Sequence, residues 1–188
     1  MPEGMTDEYI AHQVQNGDTE SFGILVQRYE AKMLRYARKF LFGYDDAQDV
    51  AQDVFIKAYI HIQTFDPDQK FSSWLYRIAH NEFINAIKKK KREPLPFFDP
   101  DLIFPHPIAK EDMEDAVYKK HVRNMLDVCL DKIDPKYREP LVLYYFEELD
   151  YKEIGDILHI PTSTIGVRLK RGKVLLKKVY DDAHARYE

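Results

Sequence analysis

The sequence predicts an all-α protein of two small helical domains, joined by a Pro-rich linker, with a helix-turn-helix in the C-terminal domain. Apolar residues recur at spacings of three and four along most of the chain, which is the period of an amphipathic helix. Five of the ten prolines lie between Pro94 and Pro107, a stretch that cannot hold a helix. The last quarter of the chain has the pattern of two short helices around a tight turn.

Residues 1–92 form the first predicted domain. Asp18 caps a long helix that ends at Gly43, and Asp45 caps a second helix that continues to residue 60. The turn Phe65–Asp68 interrupts the pattern, because a residue before proline disfavours the helical conformation. A third helix begins at residues 72–73 and leads into five consecutive cations.

Residues 93–112 form the predicted linker, and residues 113–188 form the second domain. Its first helix covers about Met113 to Asp131. Asp134 then caps a helix with Pro135 in its first turn, a position where the missing N–H is harmless. Pro140 falls early in that helix and predicts an irregular start.

The helix-turn-helix is predicted from Leu149 to Lys178. Asp150 and Glu153 fit a capping box at the start of the first helix. The run His159-Ile160-Pro161 breaks that helix, and the second helix begins at about Thr162. We expect its inward side chains to be Ile165, Leu169, Val174 and Leu175.

The second helix of this motif is basic along its length. A helix-turn-helix places its second helix in a DNA major groove. An ordinary helical hairpin with a solvated basic face is the alternative. The candidate DNA contacts are Thr162, Ser163, Thr164, Arg168, Lys170, Arg171 and Lys173.

Composition narrows the class of protein. The chain has 188 residues and no apolar run near the ~20 residues that span a membrane. The start of the chain lacks the pattern of a secretory signal. A single cysteine, Cys129, excludes disulfides and cysteine zinc sites within the chain. These features predict a cytoplasmic protein.

The net charge is −4, but cations and acids are segregated into separate blocks along the sequence.

The segment from Phe65 to Arg92 combines aromatic rings with amides and cations. Its amides and several cations share one helix face at spacings of three and four. Rings that stack bases, amides that read base edges and lysines that hold phosphates suit single-stranded DNA. The alternative is that the rings belong to the core, as we expect mainly for Trp74. The candidate residues are Phe65, Phe71, Trp74, Tyr76, Arg77, Asn81, Asn85, Lys88, Lys89, Lys90, Lys91 and Arg92.

The preceding helix carries an acidic and amide-rich face. Its carboxylates have no histidine or calcium-loop spacing beside them, so a protein-docking face or plain solvation explains them better than catalysis. We predict no catalytic residue, no metal site and no cofactor. A metal-dependent nuclease that uses Asp45, Asp46, Asp49 and Asp53 remains an alternative. The candidate docking residues are Asp46, Asp49, Gln52, Asp53 and Lys57.

Three motifs in order resemble the extracytoplasmic-function group of the sigma-70 family, the small bacterial initiation factors. DDAQDVAQDVFIKAY resembles the family's second-region helix, and KFSSWLYRIAHN resembles its promoter-melting segment. DPKYREPLVLYYFEELDYKEIGDIL, followed by IPTSTIGVRLKRGK, resembles the fourth region. The resemblance covers about Met5 to Lys178. A stand-alone helix-turn-helix regulator is the competing interpretation, but it leaves the first domain unexplained.

The resemblance implies partners and roles. The acidic helix would dock on the clamp helices of the largest subunit of core RNA polymerase. Phe65 and Asn81 match positions that hold a flipped base of the minus-10 element, and Lys88–Arg92 would hold adjacent phosphates. The last helix would read the minus-35 element, with Arg171 as the expected base contact. An anti-sigma protein is a further expected partner, and the acidic net charge predicts weak binding of the isolated chain to duplex DNA.

One departure from the family pattern concerns the recognition helix. Relatives often carry a cation and then serine or threonine after the Thr-Val pair, whereas Gly166 and Val167 follow Thr164-Ile165 here. Neither side chain can form a hydrogen bond to a base edge. We therefore expect a different minus-35 sequence, or greater dependence on backbone and shape contacts.

Overall fold

The computed structural model describes residues 5–41, 47–90 and 125–184, and all regular structure in these ranges is helical. The all-α prediction is therefore confirmed. No helix in the described ranges is long and apolar enough to cross a membrane. Short 3₁₀ turns occur at Thr19–Ser21 and Ile62–Thr64, and residues 125–131 are helical. The remaining helices are α1 (Asp7–Gln15), α2 (Phe22–Phe40), α3 (Ala47–Ile60), α4 (Phe71–Lys90), α5 (Pro135–Tyr145), α6 (Tyr151–Leu158) and α7 (Thr162–His184).

Helix α1 is an element that the sequence analysis missed. The side chain of Thr6 accepts a hydrogen bond from the Tyr9 N–H and caps its first turn. Ile10, Ala11 and Val14 are buried, so the helix contributes one apolar face to the core. The spacing of four between Ile10 and Val14 was the available signal, but two and a half turns give a weak pattern.

The first domain is built around α2. Asp18 accepts a hydrogen bond from the Ser21 N–H, as its capping role predicts, and the 3₁₀ turn there leads directly into the helix. Helix α2 ends at Phe40, three residues before the predicted end at Gly43, and the predicted cap at Asp45 lies outside the described residues. Helix α2 packs against α3 and α4 through large buried side chains, and the ring of Tyr36 meets that of Phe83 at 4.7 Å.

The local geometry of the helix-turn-helix follows the sequence closely. Asp150 and Glu153 form the predicted capping box. Helix α6 ends at His159, whose φ of 53° is left-handed and whose N–H donates to the Gly155 carbonyl. The turn closes tightly here, because a Cβ on Gly155 would lie only 2.9 Å from the Ile160 carbonyl oxygen. Asp134 also caps α5, and this helix continues through Pro140.

The prediction that Val174 and Leu175 point inward is wrong. Val174 is 65 % exposed and Leu175 is 36 % exposed. Helix α7 instead approaches α5 at Gly172, where an added Cβ would lie 3.0 Å from Cδ1 of Leu141. This close approach continues the inward stripe of Ile165 and Leu169, so the two apolar residues after it turn away from the contact.

Two glycines of the motif should respond in opposite ways to alanine. Gly155→Ala places its methyl against backbone, and we expect a net loss of about 2 kcal/mol in the free energy of unfolding. Gly166→Ala meets only Cε2 of Tyr151 at 3.6 Å, an ordinary contact, so the better helix former should add up to ~0.8 kcal/mol. Urea denaturation of both variants measures the difference. Equal effects would contradict the described turn.

The two domains pack against each other. Helix α2 contacts α5, and α4 contacts α6, so the buried apolar residues form one continuous cluster. Cys129 is a free cysteine that is buried in the second domain. The predicted linker and the start at Met113 lie outside the described residues.

Candidate nucleic-acid and protein interfaces

Helix α4 presents a polar face that is open to solvent. Asn81, Asn85, Lys88 and Lys89 are exposed on it, one or two turns apart. Arg77 lies half-buried one turn earlier, and within the described part of the chain its Nε atom has no hydrogen-bond partner. The face therefore offers amides, a guanidinium and ammonium groups along one line, which suits a strand of nucleic acid. The side chain of Lys90, together with Lys91 and Arg92, lies outside the described residues.

The aromatic rings near this face are mostly buried. Phe65, Phe71 and Tyr76 are each no more than 3 % exposed, so the prediction of an exposed aromatic platform is wrong for these three in this conformation. The rings of Phe65 and Phe71 lie 5.4 Å apart and both pack against Trp74. Trp74 is half-buried, as expected for a ring mainly in the core. Sequence alone could not separate the two outcomes, because core and stacking sites use the same residue types.

Two side chains of α1 hold the turn before α4, and the sequence analysis did not single them out. The Gln15 amide donates to the carbonyl oxygens of Ile62 and Phe65, at 2.8 and 2.7 Å. The Glu8 carboxylate accepts the N–H of Phe71 at 3.0 Å, which caps the start of α4. These long-range hydrogen bonds position the turn and the beginning of the polar face. No local motif in the sequence signals them.

The recognition helix α7 has an outward stripe of four residues. Ser163, Val167, Lys170 and Arg171 are exposed and fall within about 100° of one another around the helix. The predicted contacts Thr162 and Lys173 are also exposed, whereas Thr164 and Arg168 are half-buried.

Lys173 has a partner within its own domain. Its ammonium nitrogen lies 5.3 Å from the ring centroid of Tyr145. The hydrogen bond to Tyr145 raises the pKa of Lys173, and so favours its charged form. This lysine is therefore less free to follow a phosphate than Lys170 or Arg171.

Helix α3 exposes both the predicted polar residues and two unpredicted apolar ones. Asp49, Gln52 and Asp53 are exposed. Ile56 is 56 % exposed and Ile60 is 64 % exposed. Residues 52, 56 and 60 lie one turn apart, so an apolar edge borders the polar face. The same spacing is visible in the sequence, where residues 52, 56 and 60 recur every four positions.

The remaining two candidate docking residues are Lys57 and Asp46. Lys57 pairs with Glu82 of α4 at 2.7 Å, which ties it to its own domain. Asp46 lies outside the described residues. Among the described residues, no group of three His, Cys, Asp or Glu side chains could hold a metal ion.

A buried glutamate of the second domain reaches into the first. The Glu139 carboxylate accepts a hydrogen bond from the Tyr36 hydroxyl at 2.5 Å and lies 2.7 Å from Nδ1 of His80. Burial, followed by the nearby carboxylate, raises the pKa of Tyr36, so its hydroxyl keeps the proton that it donates. Lys39 adds an ion pair with Asp127 at 2.6 Å.

A second glutamate makes a similar contact. Glu147 receives two hydrogen bonds from the Arg35 guanidinium, at 2.7 and 2.8 Å, and a third from the Tyr76 hydroxyl. Burial and then the Glu147 charge raise the pKa of Tyr76. Lys70 and Glu153 also pair at 2.8 Å, near the surface. In each of these contacts the first domain supplies the donor and the second supplies the carboxylate.

Comparison with known proteins identifies both halves of the chain. Residues 25–93 match the family model for sigma-70 region 2, and residues 123–176 match that for sigma-70 region 4. The ECF RNA polymerase sigma factor SigW of Bacillus subtilis is 37 % identical over 90 % of this chain and 94 % of its own length. The chain belongs to the extracytoplasmic-function group of the sigma-70 family. The resemblance inferred from the three motifs is thereby confirmed.

Other relatives agree with this assignment. The ECF RNA polymerase sigma-E factor of Escherichia coli is 31 % identical over 92 % of this chain and 93 % of its own. The solved structure of CnrH in complex with the cytosolic domain of CnrY has a TM-score of 0.70 and 25 % identity, covering 94 % of this chain and 97 % of that one. The sigma factor RpoE of Bartonella quintana, solved with the anti-sigma factor NepR, shares the fold, with a TM-score of 0.66 and 19 % identity over 86 % and 98 % of the two chains.

Membership of the family decides the class of function. The protein is an RNA polymerase sigma factor that directs promoter-specific transcription and has no catalytic activity of its own. Both the nuclease and the stand-alone regulator are therefore excluded.

Proposed function

We propose that this sigma factor binds core RNA polymerase through α3, captures the minus-10 element on α4 and reads the minus-35 element with α7. The observation that carries the proposal is the position of three exposed surfaces on three different helices. Each surface has a composition that suits its partner. Bacterial RNA polymerase transcribes DNA in the cytoplasm, so a protein that binds it and promoter DNA is cytoplasmic.

The minus-10 surface is the polar face of α4. Asn81 and Asn85 offer amides to base edges, and Lys88 and Lys89 offer charge to phosphates. Arg77 and the edge of Trp74 extend this face toward the turn at Phe65. Because Phe71 and Tyr76 are buried, their role is to support the face from inside the core.

The polymerase surface is the exposed side of α3. Asp49, Gln52 and Asp53 supply its polar part, while Ile56 and Ile60 supply apolar area that becomes dry on binding. The family resemblance supports the clamp helices of the largest polymerase subunit as the partner. An apolar edge beside charged residues is the usual composition of a protein interface.

The minus-35 surface is the outward stripe of α7. Lys170 and Arg171 are exposed in the middle of the helix, and the hydroxyl of Ser163 lies near its start. Arg171 is the proposed base contact, since guanidinium groups bind guanine in the major groove.

A partner protein is a further part of the proposal. Solved sigma factors with this fold include one bound to an anti-sigma factor. We expect an anti-sigma protein to bind this chain as well.

Asn81→Ala tests the minus-10 surface. The variant should lose discrimination at one base of the element by about tenfold, because one amide contact contributes ~1.4 kcal/mol. Open-complex formation by the holoenzyme would be measured on promoters that carry each of the four bases at every minus-10 position. Asn16→Ala, which changes an exposed asparagine directly after the end of α1, is the matched control and should behave as wild type. A uniform loss at all positions would count against base reading by Asn81.

A further inference from the structure

Val167 occupies the middle of the outward stripe on α7. It is 49 % exposed, and it lies one turn from Ser163 on one side and one turn from Lys170 and Arg171 on the other. The first turns of a recognition helix are those that meet base edges in the major groove. Val167 is therefore placed where a base-reading side chain would stand.

The chemistry of valine restricts what it can read. Its side chain has no hydrogen-bond donor or acceptor. In the major groove, the C5-methyl group of thymine is the one apolar feature that the four base pairs present. Contact between these two groups removes apolar surface from water on both sides.

The residue before Val167 offers no side chain that could contact a base in its place. Gly166 has no side chain to reach a base, and the Tyr151 ring lies against the helix there, 3.6 Å from where a Cβ of Gly166 would be. A single exposed valine elsewhere on a surface needs no explanation. Here the valine lies in a stripe that otherwise consists of one hydroxyl and two cations.

We propose that Val167 contacts the methyl group of one thymine in the minus-35 element and makes that base pair a determinant of promoter choice. The inference rests on the proposed reading of that element by α7. If Val167 makes this contact, the departure from the family pattern at Gly166-Val167 creates a requirement for a thymine methyl group at one position of the minus-35 element.

Deoxyuridine provides the test, because it pairs like thymine but lacks the methyl group. A promoter found by run-off transcription would be synthesised with each minus-35 thymine replaced singly by deoxyuridine, and transcription by the holoenzyme would be measured. One replacement should lower the transcription rate at limiting holoenzyme roughly fourfold, the size expected for one methyl group removed from a dry contact. When the holoenzyme carries Val167→Ala, the same thymine-to-deoxyuridine replacement should lower the transcription rate by less than twofold.

The controls separate this inference from the broader proposal. Val174→Ala removes a valine that is more exposed than Val167 and lies ~10 Å further along the helix, and this variant should retain the full deoxyuridine effect. A promoter with a scrambled minus-35 element should lose most of its transcription. If scrambling has no effect, reading of this element by α7 fails, and the inference fails with it. If scrambling matters but no deoxyuridine does, or if Val167→Ala stays fully sensitive, the inference alone is overturned.

Discussion

Replacement of Ile56 and Ile60 by aspartate is expected to weaken binding to core RNA polymerase at least 100-fold. Both side chains are more than half exposed in the free protein, so the change does not disturb the core. Burial of an isoleucine contributes ~1.5–3 kcal/mol, and a carboxylate forced into the same dry contact would be left without a partner. Two such losses exceed the ~2.7 kcal/mol that corresponds to a factor of 100. Fluorescence anisotropy of labelled protein titrated with core polymerase measures the change.

The control for this double variant is Tyr9→Asp. Tyr9 is 49 % exposed on α1, on the same domain but a different helix. It should bind polymerase as tightly as wild type. Circular dichroism and urea denaturation would verify that all variants are folded. If the isoleucine variant binds normally, then α3 is not the docking helix, and its polar face is only solvated.

Glu139→Ala is expected to lower the free energy of unfolding by about 3 kcal/mol, because it leaves buried polar groups unpaired. The Tyr36 hydroxyl loses its acceptor at a fully buried position, and His80 loses its carboxylate partner. Since Tyr36 and Glu139 belong to different domains, the loss should also loosen the contact between them. Urea denaturation gives the stability, and small-angle X-ray scattering should give a larger radius of gyration.

A double-mutant cycle isolates the hydrogen bond between these two residues. Tyr36→Phe should be destabilising in the wild-type protein and close to neutral in the Glu139→Ala background. Glu30→Ala, which removes an exposed glutamate from α2, should change stability by less than ~0.5 kcal/mol. Additive effects of the two substitutions, or an unchanged radius of gyration, would show that this network does not hold the domains together.

The features that the sequence predicted well are local ones. The capping box at Asp150 and Glu153 and the caps at Asp18 and Asp134 depend on residues within one helical turn of each other. Such patterns are complete in a short stretch of sequence, so they can be recognised without the fold. The same is true of the exposed amides of α4, which follow from helical period alone.

The features that the sequence did not predict depend on packing between distant segments. Glu139 and Glu147 have the sequence context of surface acids, yet both are buried against hydrogen-bond partners that are at least 59 residues away in the sequence. The inward face of α7 was misjudged at Val174 because Gly172 lets α5 approach on another side. The hydrogen bond from the Gln15 amide to the Phe65 carbonyl also joins segments that are fifty residues apart in the sequence. In each case the contact exists only once the helices have packed.

Run-off transcription with core RNA polymerase tests the central claim most directly. A pool of genomic promoter fragments would be transcribed with and without this protein, and the 5′ ends of the transcripts would be mapped. The account predicts new, discrete start sites that appear only with the protein and share two sequence elements upstream. No new start sites, with retained binding to duplex DNA by the isolated chain, would contradict it.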